Sequence, residues 1–246
     1  MSHPSPATSQ AGTVPLLSSL AGGLVVSCQA RPGEPLHGPR HMAAMALSAE
    51  LGGARAVRVN GPEDVRAVKD VVGVPVIGLW KDGDDGVYIT PTLTHALRVA
   101  EAGADVVALD ATERPRGDGR TLAETTAAVH DAGALVMADV STLAEGLAAA
   151  AAGADMLSTT LSGYTPYSPS GPGPDLHLVR ELAAAGVAPV FAEGRYATPA
   201  AAADALRLGA HAVVVGGAIT RPTDITARFA DALAEEQATP AVPRTP

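Results

Sequence analysis

Residues 101–110 read Glu-Ala-Gly-Ala-Asp-Val-Val-Ala-Leu-Asp. Gly103 fits the position just past a helix, where the chain turns through the left-handed conformation. The apolar run from Val106 to Leu109 reads as a strand covered on both faces. The phrase recurs as Glu50-Leu-Gly-Gly-Ala, Ala151-Ala-Gly-Ala-Asp and Arg207-Leu-Gly-Ala-His, each time just before a short apolar run. Counted along the chain, the runs are Leu24–Ser27, Ala56–Val59, Pro75–Leu79, Val106–Leu109, Leu135–Ala138, Met156–Ser158, Pro189–Ala192 and Ala212–Val215. Helical stretches separate them, several opened by start signals: Thr90-Pro91, Thr121 with Glu124, Thr142 with Glu145, and Thr198-Pro199.

Eight β/α units in about 220 residues are the arithmetic of a (β/α)8 TIM barrel in a single domain, with a doubly wound open sheet as the alternative. The folded unit is expected over residues 13–236. Residues 1–12 and 237–246, rich in Ser, Thr, Pro and Ala without periodicity, are expected to be flexible tails.

Of the 246 residues, 47% are hydrophobic and 17% charged, so the core must come from Ala, Val and Leu, since aromatics make up only 3%. A net charge of −9 without any Lys/Arg run argues against nucleic acid and anionic membrane as partners and for a small molecule. The single cysteine, Cys28, cannot form an internal disulfide, which fits a reducing, cytoplasmic setting. Residues 13–27 are moderately apolar but lack the preceding cation of a signal peptide, and the Ala-rich run 147–154 is too short to span a bilayer. Ala-rich outer helices that could pack against a second copy favour a homodimer.

In such a barrel the chemistry gathers where strands end. Here the ends carry Ser27-Cys28-Gln29, Arg58 and Asn60, Lys81, Asp110, Asp139, Thr159 to Ser162, Glu193-Gly194-Arg195 and Gly216-Gly217. Arg58, Lys81, Arg114, Arg116, Arg195 and Arg221 add positive charge to this rim, as an anionic ligand would require, although the two arginines after the fourth strand also read as solvated loop residues. Gly216-Gly217, followed by Ala218-Ile-Thr-Arg221, suits a phosphate held by backbone N–H groups at a short helix start, or else a tight turn.

Lys81 stands out. At the end of an apolar strand and near Arg58, its pKa would be pushed down toward that of a usable base; its other reading is a surface lysine beside Asp82–Asp85. Glu193 and Asp139 follow apolar runs and can serve as proton shuttle or hydroxyl ligand, or as ion-pair partners of Arg58 or Lys81. His37 and His41 are separated by Gly38 and Pro39 and make a poor metal pair, and Cys28 reads as a packed thiol. No dinucleotide, Walker or G-x-S-x-G motif is present, so neither cofactor nor metal is called for.

Several stretches together carry a family resemblance: Gly22-Gly-Leu-Val-Val-Ser-Cys-Gln-Ala, Pro32-Gly-Glu-Pro-Leu-His, Asp110-Ala-Thr-Glu-Arg, Met137-Ala-Asp-Val-Ser-Thr, Ser158-Thr-Thr-Leu-Ser-Gly-Tyr-Thr, Ala192-Glu-Gly-Arg and Gly217-Ala-Ile-Thr-Arg-Pro. In collinear order over about residues 21–235, they resemble the N-acetylmannosamine-6-phosphate 2-epimerase family. The resemblance implies a cofactor-free isomerase that interconverts N-acetylmannosamine 6-phosphate and N-acetylglucosamine 6-phosphate, in sialic acid and amino-sugar catabolism. It implies Lys81 as the proton-transfer base and Glu193 as its partner at ring opening or at the C1 oxygen. Gln29, Arg58 and Asp139 would position the sugar, Ser162 and Tyr164 would be lid contacts, and Gly194, Arg195, Gly216, Gly217 and Arg221 would hold the phosphate.

Two departures from the family's pattern stand out. Lys81 is followed by Asp82-Gly-Asp-Asp rather than by a second cation and a longer loop, which is expected to raise the lysine pKa, and Ala197 replaces a polar residue. Two other functions fit the same residues: a phosphosugar enzyme using Lys81 as a Schiff base, and a non-catalytic sugar-phosphate-binding barrel.

Overall fold

The computed structural model describes residues 10–238, so the expected tails at residues 1–9 and 239–246 lie outside the described residues. Helix α1 (Gln10–Leu20) leads into strand β1 (Gly23–Cys28). There follow α2 (Pro39–Leu51), β2 (Ala56–Asn60), α3 (Pro62–Lys69), β3 (Val76–Leu79), α4 (Leu93–Glu101), β4 (Val106–Asp110), α5 (Leu122–Asp131) and β5 (Leu135–Asp139). The chain continues through α6 (Leu143–Ala151), β6 (Met156–Ser158), a 3-10 turn (Thr159–Leu161), α7 (Leu176–Ala185), β7 (Val190–Glu193), α8 (Pro199–Arg207), β8 (Ala212–Val215), α9 (Gly217–Thr220) and α10 (Pro222–Ala238). Helices α1 and α10 reach past the limits expected for the folded unit.

The eight strands pair in parallel and in order, and β8 closes on β1 through Gly23↔Ala212 to Val26↔Val215. Closure excludes the open sheet. Each strand lies within one residue of its sequence-based bounds. The repeated glycines behave as read: Gly53, Gly103, Gly153 and Gly209 have φ of 98°, 99°, 94° and 98°. The aspartates after two of them also share a role. Asp105 Oδ2 accepts the Val76 N–H at 2.8 Å and Asp155 Oδ2 accepts the Val136 N–H at 2.7 Å, so each ties the start of the preceding strand at the lower rim.

The capping boxes at Thr121/Glu124 and Thr142/Glu145 are formed, and Thr198 caps α8. Thr90-Pro91 does not start a helix. The cap of α4 is Thr92, whose side chain accepts from His95, and Thr90 is buried beneath it in the chain entering the barrel mouth.

Side chains alternate along each strand, and the apolar residues divide accordingly. Val25, Ala56, Ile77, Leu79, Val106, Ala108, Met137, Met156, Phe191, Ala212 and Val214 fill the barrel, while Val26, Val57, Val76, Val107, Val136, Leu157 and Val190 face the helices. Leu20 of α1 belongs to the inner cluster, with Leu16 and Leu17 packed on it, and the Leu17 carbonyl meets His211 Nε2 at 2.7 Å. The barrel is therefore closed at its lower end and open at the end where the strands finish. Among the described residues no helix is long and apolar enough to cross a membrane.

Candidate active site

The same alternation that fills the barrel selects what its mouth presents. Two residues beyond the inner Val25, Ala56, Leu79, Ala108, Met137, Met156 and Phe191 come Ser27, Arg58, Lys81, Asp110, Asp139, Ser158 and Glu193. Polar groups thus take the last inward positions of seven neighbouring strands or strand ends.

Arg58 forms the floor. It is 1% exposed, and its guanidinium grips Asp139 with two bonds, Nη2 to Oδ2 at 2.6 Å and Nη1 to Oδ1 at 3.0 Å, while Nη1 also lies 2.9 Å from Glu193 Oε2. Thr160 Oγ1 sits 2.7 Å from Asp139 Oδ1 and 3.1 Å from Glu193 Oε2, and Ser158 Oγ donates to Glu193 Oε2 at 3.3 Å. Burial opposes the charge on Arg58, but Asp139 and Glu193 outweigh it and hold the guanidinium above its ordinary pKa. With two carboxylates beside one arginine, Glu193 is the less well compensated. Burial pushes its pKa above the usual range, Arg58 pulls it down, and the negative Asp139 pushes it up again.

Lys81 opens into the cavity above this floor. Its backbone N–H donates to Asn60 Oδ1 at 2.8 Å, and it pairs with Ile89 in an antiparallel bridge, so residues 81–89 fold back as a short hairpin. Lys81 is exposed at the mouth, yet the protein around its ammonium lowers its pKa by desolvation, and Arg58 and Arg31 add to that, against the pull of Glu193 and Asp139. Even with the acidic loop beside it, the lysine stays below its ordinary pKa. Asp82 turns to His95 Nε2 at 3.2 Å, and His95 packs edge-on under Trp80 with ring centroids 4.5 Å apart.

The cavity measures about 1360 Å³, and its lining includes Gln29, Lys81, Tyr88, Thr160, Tyr164, Glu193, Gly194, Arg195, Gly216, Gly217 and Arg221. Gln29 Nε2 donates to Ser27 Oγ at 2.9 Å. On the β7–β8 side, the N–H groups of Gly194, Arg195, Gly217 and Ala218 have no acceptor among the described residues. Arg221 reaches the same wall and pairs with Glu34 and with Asp224, the latter at 3.2 Å. The side chain of Arg195 serves mainly as a strut: Nε donates to the Gly173 carbonyl and Nη1 to the Ser162 carbonyl, each at 2.7 Å, and the group lies 5.5 Å from the centre of the Tyr164 ring. Ser162 is buried and donates to Asp175 Oδ2 at 2.7 Å, so it holds the loop rather than lining the cavity, whereas Tyr164 is exposed at the mouth.

The family described as "Putative N-acetylmannosamine-6-phosphate epimerase" matches residues 42–235. The chain belongs to this family. It is 57% identical over 221 residues to the "Putative N-acetylmannosamine-6-phosphate 2-epimerase" of Cutibacterium acnes, covering 89% of this chain and 96% of that one. To the relative of the same name in Caldanaerobacter subterraneus it is 50% identical over 226 residues, covering 90% and 95%. Among solved structures, that of the N-acetylmannosamine-6-phosphate 2-epimerase from Clostridium perfringens superposes with a TM-score of 0.85 at 43% identity, covering 94% of this chain and 99% of that one.

In this member of the N-acetylmannosamine-6-phosphate epimerase family, two rim arginines expected from the sequence turn away from the mouth. Arg114 Nη2 donates to Asp110 Oδ2 at 2.7 Å, and Arg116 donates to the carbonyls of Asp110 and Thr90 at 2.9 and 2.8 Å. They brace the loop after β4 and line a separate depression of about 280 Å³. Cys28 faces the helices, and burial pushes its thiol up to about 12, leaving it inert. Sequence reasoning missed Tyr88, which reaches the cavity only because the hairpin doubles back, and gave no role to Thr160, which stands two residues beyond the inward Ser158 and could have been found by the same alternation.

Proposed function

We infer that the chain interconverts N-acetylmannosamine 6-phosphate and N-acetylglucosamine 6-phosphate by exchanging the proton at C2. Family membership supports the substrate and the reaction. One observation carries the mechanism: a lysine with a lowered pKa and a glutamate with a raised one line the same cavity above a buried arginine held by two carboxylates. Burial that brings a lysine pKa down and a glutamate pKa up moves both toward the working pH, where a general base and a general acid are most effective.

In the open-chain sugar the C2 proton lies beside the C1 carbonyl. Lys81 Nζ takes that proton, the C–H electron pair forms the C1–C2 double bond, and the carbonyl pair moves to O1, which Glu193 protonates. Once the intermediate has turned its other face to the lysine, the Lys81 ammonium returns a proton to C2 and Glu193 takes back the O1 proton as the carbonyl re-forms, which gives the epimer and restores both groups; exchange of the ammonium proton with solvent in between places deuterium at C2. Arg58 and Asp139 keep the field below O1 fixed, so no reorganisation is needed as charge develops. The open N–H groups of Gly194, Gly217 and Ala218, with Gly216 giving close approach and Arg221 and Arg195 adding charge, hold the 6-phosphate, while Gln29 and Tyr164 meet the sugar hydroxyls. Ser162 acts through the loop that carries Tyr164. The chemistry needs neither cofactor nor metal. The same reading puts the protein in the cytoplasm, which its single buried thiol supports, and in a homodimer, for which the exposed Phe229 and Leu233 of α10 offer an apolar face.

Proton NMR with N-acetylmannosamine 6-phosphate in D₂O tests this. The wild type should form N-acetylglucosamine 6-phosphate and lose the C2 proton signal, and Lys81→Ala should do neither. Binding without exchange in the wild type would leave a sugar-phosphate-binding barrel. An adduct trapped on Lys81 by borohydride would point to Schiff-base chemistry.

A further inference from the structure

Strands β3 and β4 pair only at Ile77↔Val106 and Gly78↔Val107, although β4 runs on to Asp110. Thr90 occupies the gap above. The Trp80 N–H donates to Thr90 Oγ1 at 3.1 Å, and that hydroxyl donates to the Ala108 carbonyl at 2.7 Å, so it completes a strand-to-strand link the backbones leave open. The Thr90 N–H donates to the Trp80 carbonyl at 2.8 Å, and its own carbonyl accepts from Arg116 Nη2 at 2.8 Å. Every polar atom of Thr90 is thus engaged, and the residue is 0% exposed. Its φ is +50°, in the left-handed region that a β-branched residue adopts only when its surroundings over-determine it. The neighbouring Ile89 carbonyl accepts the Asp110 N–H at 3.1 Å, and Ile89 bridges to Lys81.

We propose that Thr90 is a positioning residue for Lys81: its hydroxyl, wedged between β3 and β4, fixes the base of the hairpin and so the direction in which the lysine enters the cavity. The proposal rests on Lys81 being the proton-transfer base. The hairpin is anchored by Asn60 on the β2 side and, on the β4 side, by the Ile89 carbonyl and the Thr90 hydroxyl, the latter being the one side-chain link among the β4-side bonds described above. Lys81 faces Arg58 from β2, Asp139 from β5, Glu193 from β7 and Arg31 from the loop after β1. Tyr88 and Asp82, Asp84 and Asp85 lie on its own hairpin, and His95 of α4 lies behind Trp80. A swing toward solvent relieves its desolvation and weakens the pull of Arg58, so its pKa would climb toward the ordinary lysine value.

The chain contains only two lysines, Lys69 and Lys81, and Lys69 is tied to Asp105 at 2.8 Å at the lower rim. An NMR titration of protein carrying isotope-labelled lysine therefore reads Lys81 with Lys69 as internal reference, independently of turnover. Thr90→Val keeps the shape and removes the hydroxyl, and Thr90→Ser restores it. The expected result for Thr90→Val is a Lys81 midpoint raised by about one pH unit with Lys69 unmoved. The rising limb of kcat against pH should shift the same way, and kcat at neutral pH should fall about 10- to 100-fold with KM held within about threefold. Thr90→Ser should match the wild type in all of these. If Thr90→Val does not fold, Arg116→Gln, which removes the bonds to the Thr90 and Asp110 carbonyls and leaves the Thr90 hydroxyl in place, should shift Lys81 in the same direction by less. An unchanged Lys81 midpoint in either folded variant, or a serine variant as impaired as the valine one, overturns the proposal. A wild type that exchanges no C2 proton would overturn the assigned reaction instead, and the titration would still decide whether Thr90 sets the place of Lys81.

Discussion

Arg58 and Arg221 serve the same mouth under opposite conditions. Arg58 lies beneath the cavity at 1% exposure with Asp139 and Glu193 locked on it, while Arg221 stands in the wall at 29% exposure, clasped by Glu34 and Asp224. A buried ion pair is costly to desolvate and costlier to break, so the floor cannot adjust. An exposed pair is worth little and exchanges partners readily. The difference suits their tasks: a fixed field under the reacting carbons, and a cation that can leave a carboxylate for a phosphate at the rim. Stability should therefore respond to the floor and binding to the rim.

The largest effect should come from breaking the floor. Asp139→Ala leaves the buried Arg58 with Glu193 as its one carboxylate partner and should cost about 3–5 kcal/mol in urea denaturation. Replacing both, as Arg58→Met with Asp139→Leu, should recover most of that stability without restoring turnover. A single variant that loses less than about 1 kcal/mol would mean that the floor yields as easily as the rim, and the contrast would collapse.

Glu193 belongs to the floor in position but not in energetics, and Glu193→Gln separates the two. Loss of an acid in the proton-transfer step should lower kcat about 10²- to 10⁴-fold while the fold persists. Because burial raises the pKa of Glu193 in the folded state, the fold favours its protonated form. That contribution is present below the unfolded carboxylate range and is lost as pH rises through the raised value. The amide, which never ionises, escapes the loss. Over that window the stability of the wild type should decline relative to Glu193→Gln, and urea titrations at stepped pH would show it. A variant that instead becomes steadily less stable than the wild type as pH rises would mean that Arg58 more than compensates the carboxylate.

What was legible in the sequence follows the same division. The eight strands, the closing glycines and the residues of the floor all follow from local patterns: a continuous apolar run, a left-handed turn, and side chains alternating with a period of two. Thr90 was misread because its meaning is not local. Thr90-Pro91 looks like a helix start, yet the helix begins after Thr92, and Thr90 is engaged by Trp80 and Ala108, ten and eighteen residues away. Arg114 and Arg116 were over-read for a related reason. Composition places positive charge near the mouth but cannot tell that Asp110 and two backbone carbonyls already occupy it.

The smallest expected effects lie at the rim, where their sign matters more than their size. If Arg221 contacts the phosphate, Arg221→Ala should raise KM about tenfold, leave kcat within about twofold, and change stability by less than about 0.5 kcal/mol. Glu34 competes for the same guanidinium. The Arg31 N–H and Arg221 hold its carboxylate below the ordinary range, so it stays charged throughout neutral pH and the competition does not titrate away there. Glu34→Gln should then release Arg221 and lower KM, by less than about threefold because exposed pairs are weak. A rise in KM would mean that Glu34 aims the arginine rather than restrains it, and the rim would be preorganised after all, differing from the floor in exposure but not in kind.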